Sequence, residues 1–341
     1  MNPSIRNNRS GLSAGAAALA SLALLSAGAQ GCSRDTVETP TDRIRITLDN
    51  DYSLPFRPLA RKPYHYSVLF FPNGEDARAL EDFCPEEGGP AAVPPGGYSA
   101  FVFDLGGTSA LVRGRESLES LTVTGEEGDA VHAALLSYCV AAAEEGKNVP
   151  LIKEPSPFFG GSAKEISVPV TLTTEEPFSV NFATHSLLCQ SRMTFTGLKN
   201  TQYINSLQVF VTNIASGRNI CNGTPCGEPA AICFFADDVT EDSARGTFNH
   251  FGFLDVVSDE NAAYVERKVT AYVVLADYSG SRWLFVRDVT AQAVRSADGC
   301  ADFTVEIDFT VPEGKGPGND GGLTPQTQDW ENTFRNVTIG G

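Results

Sequence analysis

VTAYVVLADYSGSRWLFVRDV, residues 269–289, is the stretch whose reading decides the fold. Val269, Ala271, Val273 and Leu275 recur at every second position, Trp283 to Val289 forms a second apolar run, and Ser279-Gly280 stands between them. Period-two alternation marks a strand with one buried face, and a short Gly-containing break joins two such strands as a hairpin. The pattern recurs at Ile166/Val168/Val170/Leu172, Phe178/Val180/Phe182, Leu207/Val209/Val211 and Phe303/Val305/Ile307/Phe309. Nearer the N-terminus, Ile44, Ile46 and Leu48 alternate with Arg43, Arg45 and Thr47, and an aromatic-rich run from Tyr98 to Phe103 follows the turn Pro94-Pro95-Gly96-Gly97. Short strands with frequent turn residues predict a mainly β protein built of sandwiches. Pro169 cannot donate to a ladder, which puts the 166–172 strand at an edge or turns its unbonded side outward.

One segment departs from this period. Asp129–Glu145 is Ala-rich, with Val131, Leu135 and Ala142 at helical spacing, Asp129 as N-cap and Gly146 as a stop. It predicts one short helix, assigned to the first domain. Pro150, Pro155, Pro157, Gly160 and Gly161 then mark a linker. About 300 residues beyond the leader, with 42% hydrophobic content and 21 Phe, supply two cores. The expected organisation is a leader over 1–31, a tether over 32–42, β-sandwiches over 43–150 and 164–311 joined by a linker over 151–163, and a Gly/Pro-rich tail over 312–341.

The leader reads as a secretory signal. Arg6 and Arg9 precede an Ala/Leu-rich run from Ala14 to Ala29, which ends at Gly31-Cys32-Ser33. The apolar run is shorter than the roughly 20 residues that a spanning helix needs. Gly31-Cys32 fits a lipoprotein signal with Cys32 as the lipidated (palmitate-bearing) residue, although Ala29 sits where Leu is usual. Ala27-Gly28-Ala29 offers the competing site, which would release a protein beginning at Gln30 with Cys32 as a thiol. The polar, Pro-containing stretch 33–42 favours the lipid reading, because it has the composition of a tether. Lipidation places the chain on the outer membrane, facing the exterior.

Removing residues 1–31 takes away two arginines and no acids, moving the formal charge from -17 to -19. Such a surface repels phosphate backbones, so nucleic acid is excluded as a partner. Beyond Cys32, seven cysteines remain, an odd number. Cys221-Asn-Gly-Thr-Pro-Cys226 is the candidate disulfide, since Asn-Gly and Pro favour a tight turn and exported proteins meet an oxidising compartment. A zinc site is the sharper alternative for these cysteines, but only Cys233 lies nearby and no histidine adjoins.

Catalytic signatures are missing from the sequence. His65, His132, His185 and His250 form no H-x-x-x-H frame, there is no G-x-S-x-G elbow, and no Gly-rich loop leads from a strand into a helix. His185-Ser186 could be assembled into a triad only on paper. The acid pairs Asp237-Asp238, Glu241-Asp242 and Asp259-Glu260 read as solvated loop charge, and Gly318-Asn-Asp-Gly-Gly322 lacks the calcium-loop frame and reads as a hinge. Trp283 belongs to a strand and to the core, whereas Trp330 and Tyr264 are candidate sugar-stacking residues. No catalytic residue, metal or cofactor is expected.

Gly246-Thr-Phe248-Asn-His-Phe251-Gly252, then Lys268 through Asp277, Trp283 and Asp288-Val-Thr-Ala-Gln292, with a Gly-Gly-x-x-Pro stretch before Asp329-Trp330, resembles a family of Bacteroidales surface lipoproteins of unassigned function. That family is similar in architecture to the fimbrillin-associated anchor subunits of type V pili. The resemblance implies two tandem transthyretin-like (Ig-like) β-sandwiches on a lipid anchor, no enzymatic activity, and fimbrillin-like subunits as partners through strand addition. It implies that stalk subunits lose their first strand by cleavage after an arginine, whereas an anchor keeps it. Arg43, Arg45 and Arg61 are available for such cleavage, but Arg43 and Arg45 already serve as the polar face of a strand, so retention is expected. The alternative function is a glycan-binding surface lipoprotein of a polysaccharide-uptake system.

Overall fold

The structure is a computed structural model that describes residues 43–74, 78–105, 110–143, 149–173, 177–254, 268–293, 300–314 and 316, and the backbone of 334–339. The first strands are β1 (Arg43–Asn50), β2 (His65–Pro72), β3 (Leu80–Pro85), β4 (Gly89–Ala92), β5 (Gly96–Asp104), β6 (Ala110–Arg113) and β7 (Thr122–Gly125). Helix α1 (Ala130–Ala142) follows, then β8 (Leu151–Ile152), β9 (Phe159–Val168), β10 (Ser179–Ser186), β11 (Cys189–Lys199), β12 (Ile204–Asn219) and β13 (Pro225–Phe235). The remainder comprises β14 (Asp238–Val239), β15 (Ser243–His250), β16 (Thr270–Asp277), β17 (Arg282–Asp288), the short helix α2 (Thr290–Ala293), β18 (Asp302–Thr310) and β19 (Phe334–Ile339).

The hairpin expected over 269–289 is β16 and β17, antiparallel with Tyr272 opposite Val286 and Leu275 opposite Trp283. Every residue of β16 is buried. Ala271, Val273 and Leu275 face the sandwich core, while Tyr272 and Val274 face a separate layer beneath α1. A strand covered on both sides has no solvent face for polar residues, which is why this one is apolar almost throughout.

Seven strands form the first sheet, in the order β3-β2-β5-β9-β10-β1-β4. The turn between β3 and β4 brings the two ends of the sheet together. Gly88 turns there at φ +85, and a Cβ on it would lie 2.2 Å from the Ile46 carbonyl oxygen, so both conformation and space demand glycine. Ile44, Ile46, Tyr66, Val68, Phe70, Val102, Ile166 and Phe182 fill the interior of the folded sheet. Leu69, Phe71, Phe101 and Phe103 point the other way, into the second core.

That second core lies between the sheet β14-β15-β11-β18 and the sheet β19-β17-β16-β12-β13-β8, onto which β7 and β6 are added beside β12. Met193, Phe195, Phe248, Phe303 and Val305 meet Val209, Val211, Ile232, Phe234, Val273 and Phe285. Phe234 and Phe248 stack across it with centroids 4.5 Å apart, and Trp283 packs against Phe309 at 5.2 Å, a core residue as its strand position implies.

Three sequence expectations need correction. The helix forms with Asp129 as its N-cap, accepting from the backbone N–H groups of Val131 and His132 at 3.1 and 3.0 Å. It does not belong to the first sandwich. Leu135, Leu136, Cys139 and Val140 pack onto Phe210, Ala231, Tyr272, Val274 and Leu284 of the larger second sheet, while Val131, in the first turn, is 42% exposed. Gly146, the expected stop, lies outside the described residues.

The strands, too, do not divide at residue 150. β7, α1 and β8 attach to the second sandwich, Thr124 facing Gly217 and Leu151 facing Ala231, whereas β9 and β10 return to the first sheet. Residues 151–163 therefore hold β8 and the first half of β9, and the Pro-rich stretch 153–158 connects them. Periodicity reports that a segment is a strand; it carries no information about which strand lies beside it.

Finally, β9 is an interior strand between β5 and β10 that ends at Val168, before Pro169. Val170, expected to continue the buried face, is 88% exposed. The proline removes the donor needed to continue pairing and releases the chain from the sheet. At the C-terminal end, within the stretch expected as a Gly/Pro-rich tail, β19 pairs parallel with β17.

Candidate functional site

The first strand is the element that the functional expectation turns on, and it is an interior one. β1 pairs parallel with β10, Arg45 opposite Ser179 through Asn50 opposite Thr184, and antiparallel with β4. Ile44 and Ile46 are 1% and 0% exposed, while Arg43 and Arg45 face solvent. Alternation along β1 thus puts its branched side chains into the core and its guanidinium groups outside. At the end of the strand, the Asn50 side chain donates to the Glu86 carbonyl oxygen and accepts from Thr184 Oγ1 at 2.7 Å. Withdrawing β1 would open a slot between β4 and β10 with unpaired backbone groups on both walls and two vacated apolar pockets.

The connection from β1 to β2 crosses onto the second sandwich and is fastened there. Buried Gln190 accepts from the Phe56 and Arg57 N–H groups at 2.9 and 2.7 Å, and Arg57 Nη2 donates to the Thr247 carbonyl oxygen at 3.0 Å. Beneath it, Glu154 accepts from Asn249 N at 3.0 Å; burial pushes its carboxyl up, against this hydrogen bond and the nearby Arg57 charge. Arg61, on the same connection, is exposed and lies over the Tyr64 ring at 4.3 Å.

The sheet edges carry charge. β18 presents Asp302, Thr304, Glu306 and Asp308 outward between buried Phe303, Val305 and Ile307. The opposite edge of the same sheet, β14, is two exposed residues long, with Asp237 and Asp238 near Arg57 and Arg245 at 3.5 and 3.9 Å. Short and acidic edges resist uncontrolled pairing.

The structure also places the residues weighed for chemistry. Ser186 Oγ donates to the Leu188 carbonyl oxygen rather than engaging His185. A serine–histidine pair does exist elsewhere, Ser191 Oγ and His250 Nε2 at 2.8 Å, and both residues are fully buried. Gly252 N donates to His250 Nδ1 at 3.1 Å, so Nε2 carries the proton and donates to Ser191. Burial, with the Arg218 charge adding to it, pushes this imidazole down to about 3, and a neutral ring already donating to the hydroxyl cannot accept its proton. Ser191 also accepts from Ala301 N, so the pair ties three segments together. Only strand register reveals it, since Ser191 and His250 lie far apart in the sequence on neighbouring strands.

Cys221 sits in the turn between β12 and β13, packed against the main core, and Cys226 lies at the start of β13 opposite Gly217. Cys233 packs instead in the layer beneath α1, so Cys221 and Cys233 face different layers. Among the described residues no group of three or more His, Cys, Asp or Glu side chains is arranged to hold a metal ion. Cys32, Tyr264, Trp330, Asp259-Glu260 and the 318–322 hinge lie outside the described residues.

Comparison with known proteins places this fold. The chain is 32% identical over 93 residues to a Bacteroides ovatus protein named "Putative fimbrium anchoring subunit Fim4B", a match covering 27% of this chain and 26% of that one. It thus spans about a quarter of the length of the curated relative. A crystal structure described as "a putative adhesin" from Bacteroides ovatus shares the fold, with a TM-score of 0.54 at 17% identity over 85% of this chain and all of the other. The fimbrial anchor protein Mfa2 from Porphyromonas gingivalis matches at a TM-score of 0.44 and 8% identity over 79% of this chain and 90% of that one, a likeness too loose to bear on the fold. A family model described as "Domain of unknown function (DUF5119)" matches residues 31–234, well over half of the chain, and to that family this protein belongs.

Proposed function

We propose that this protein is a non-enzymatic accessory or anchoring subunit of a fimbria, held on the outer membrane by lipid on Cys32 and joined to fimbrillin-like subunits by strand addition. The observation that carries the reading is the placement of β1. It is built into the first sheet with both neighbours paired, so the chain has the form of a subunit that keeps its first strand. Such a subunit presents no empty slot of its own at β1 and engages a neighbour through another edge or a donated strand. The match to a protein named as a fimbrium anchoring subunit supports the assignment, and the leader ending at Gly31-Cys32 supports the membrane address.

Two measurements test the reading together. Cys32→Ala should release the protein, and any fibre attached to it, into the medium, and retention of the variant at the membrane would refute the lipid anchor. Crosslinking the native outer membrane and purifying the protein through a C-terminal tag should recover a ladder of fimbrillin-like subunits. Recovery of a porin-type importer or bound glycan instead would replace the fimbrial role with glycan uptake.

A further inference from the structure

We infer that Cys189 and Cys300 form a disulfide that staples the start of β11 to the segment entering β18. The two strands run parallel, their pairing beginning with Arg192 opposite Asp302, three residues past Cys189 and two past Cys300. Arg192 N donates to the Ala301 carbonyl oxygen at 3.0 Å, and Ala301 N donates to Ser191 Oγ at 2.8 Å. These bonds fix residue 301 beside residues 191 and 192, and the side chains of Cys189 and Cys300 meet in hydrogen-bond contact. The staple would close a covalent loop containing β11 through β17, nearly the whole second sandwich.

The surroundings of this pair differ from those of the other thiols. Arg218, on β12, donates Nη1 to Cys189 Sγ at 2.9 Å, and a guanidinium in this position favours thiolate, the form that attacks sulfur. Cys139 and Cys233 lie in the apolar layer beneath α1, where burial pushes each thiol up to about 12; the Cys300 thiol is pushed up as well, by its contact with Cys189 and by burial, but there the Arg218 charge opposes the shift. Cys84 is buried in the first core.

Cys189 is wholly buried and Cys300 only partly, so access sets the order of events. Cys300 sulfur attacks the disulfide of a dithiol-type oxidant, forming a mixed disulfide and releasing one of the oxidant's thiolates. Cys189 sulfur, beside Arg218, then attacks Cys300 Sγ; the bond to the oxidant breaks and its second thiolate leaves. Two electrons pass to the oxidant, and the two thiol protons end on its sulfurs.

The test uses the intact protein, incubated with oxidised glutathione, blocked with N-ethylmaleimide and digested at Lys and Arg without reduction. Cys189 and Cys300 fall on separate peptides, ending at Arg192 and Lys315, and both differ from the peptide holding Cys221, Cys226 and Cys233. The expected product is the Cys189–Cys300 cross-linked peptide, two hydrogens lighter than its parts, lost on reduction and absent from Cys300→Ser. Recovery of both cysteines as maleimide or glutathione adducts, or either joined to another cysteine, would overturn the assignment. Oxidation is imposed on purified protein, so failure here bears on the pair alone, whereas the release of Cys32→Ala bears on the anchor.

Discussion

Replacing Ile46 by alanine probes whether β1 is an integral strand. Ile46 has no solvent exposure and lies among Tyr66, Val68, Phe70 and Phe182. The change deletes three carbons, worth about 2.5 kcal/mol at roughly 0.8 kcal/mol per buried methylene. Incomplete collapse of the cavity adds about 1 kcal/mol, since each Å³ left empty costs on the order of 24 cal/mol. A loss near 3.5 kcal/mol is expected, inside the roughly 2–5 kcal/mol range for such truncations. Arg45→Ala, one residue away on the solvent face, should stay within about 0.5 kcal/mol. Urea unfolding followed by far-ultraviolet circular dichroism measures both, and amide exchange in β4 and β10 reports whether the loss is local to the first sheet. Equal effects from the two substitutions, or a loss below about 1 kcal/mol at Ile46, would refute the placement of β1.

Asp129→Ala removes the N-cap of α1 and should cost about 1 kcal/mol, measurable by the same unfolding titration. Burial disfavours ionisation of Asp129, but hydrogen bonds from His132 and Val131 outweigh it and hold the carboxyl below its ordinary value. The stabilisation is therefore present above the unfolded-state value, about 4, and is lost as pH falls through the folded one, so wild type and Asp129→Ala should converge in acid. Glu154 has the opposite sign. Its carboxyl is pushed up by burial, so wild-type stability falls as pH rises through the folded value; Glu154→Gln, which still accepts from Asn249, should equal or exceed wild type at neutral pH and lose that advantage in acid. A variant strongly destabilised at every pH would show that the charge itself holds the β1–β2 connection in place.

Much of the fold is legible in single segments. The hairpin over 269–289, the alternation at Ile44 and Ile46, the cap at Asp129 and the core position of Trp283 each follow from residue order within a few positions, because a strand's two faces and a helix's first turn are set locally. The sequence misleads where the deciding partner is remote. Val170 continues a perfect alternation, yet Pro169 ends the ladder before it. Residues 151–163 have the composition of a linker, yet Leu151 and Ile152 add a short strand beside β13, and Gly160 and Gly161 lie so close to the Val102 and Ala183 carbonyl oxygens that a Cβ would meet them at 2.5 and 2.1 Å. There, glycine records close packing of neighbouring strands rather than flexibility.

Candidate chemistry divides in the same way. The Ser191–His250 pair and the Cys189–Cys300–Arg218 cluster have no motif, since each is assembled from strands that meet only in the folded sheet. By itself, the sequence determined that the chain is made of alternating strands with one helix, that residues 1–31 have the composition of an export leader, and that it lacks the local signatures of catalysis, all properties of residues near one another along the chain. Tertiary structure decided which sandwich the helix covers, that β1 is an interior strand, and which side chains meet across strands. Side-chain alternation fixes a strand's faces, but its neighbours are chosen by burial and backbone pairing between segments more than a hundred residues apart.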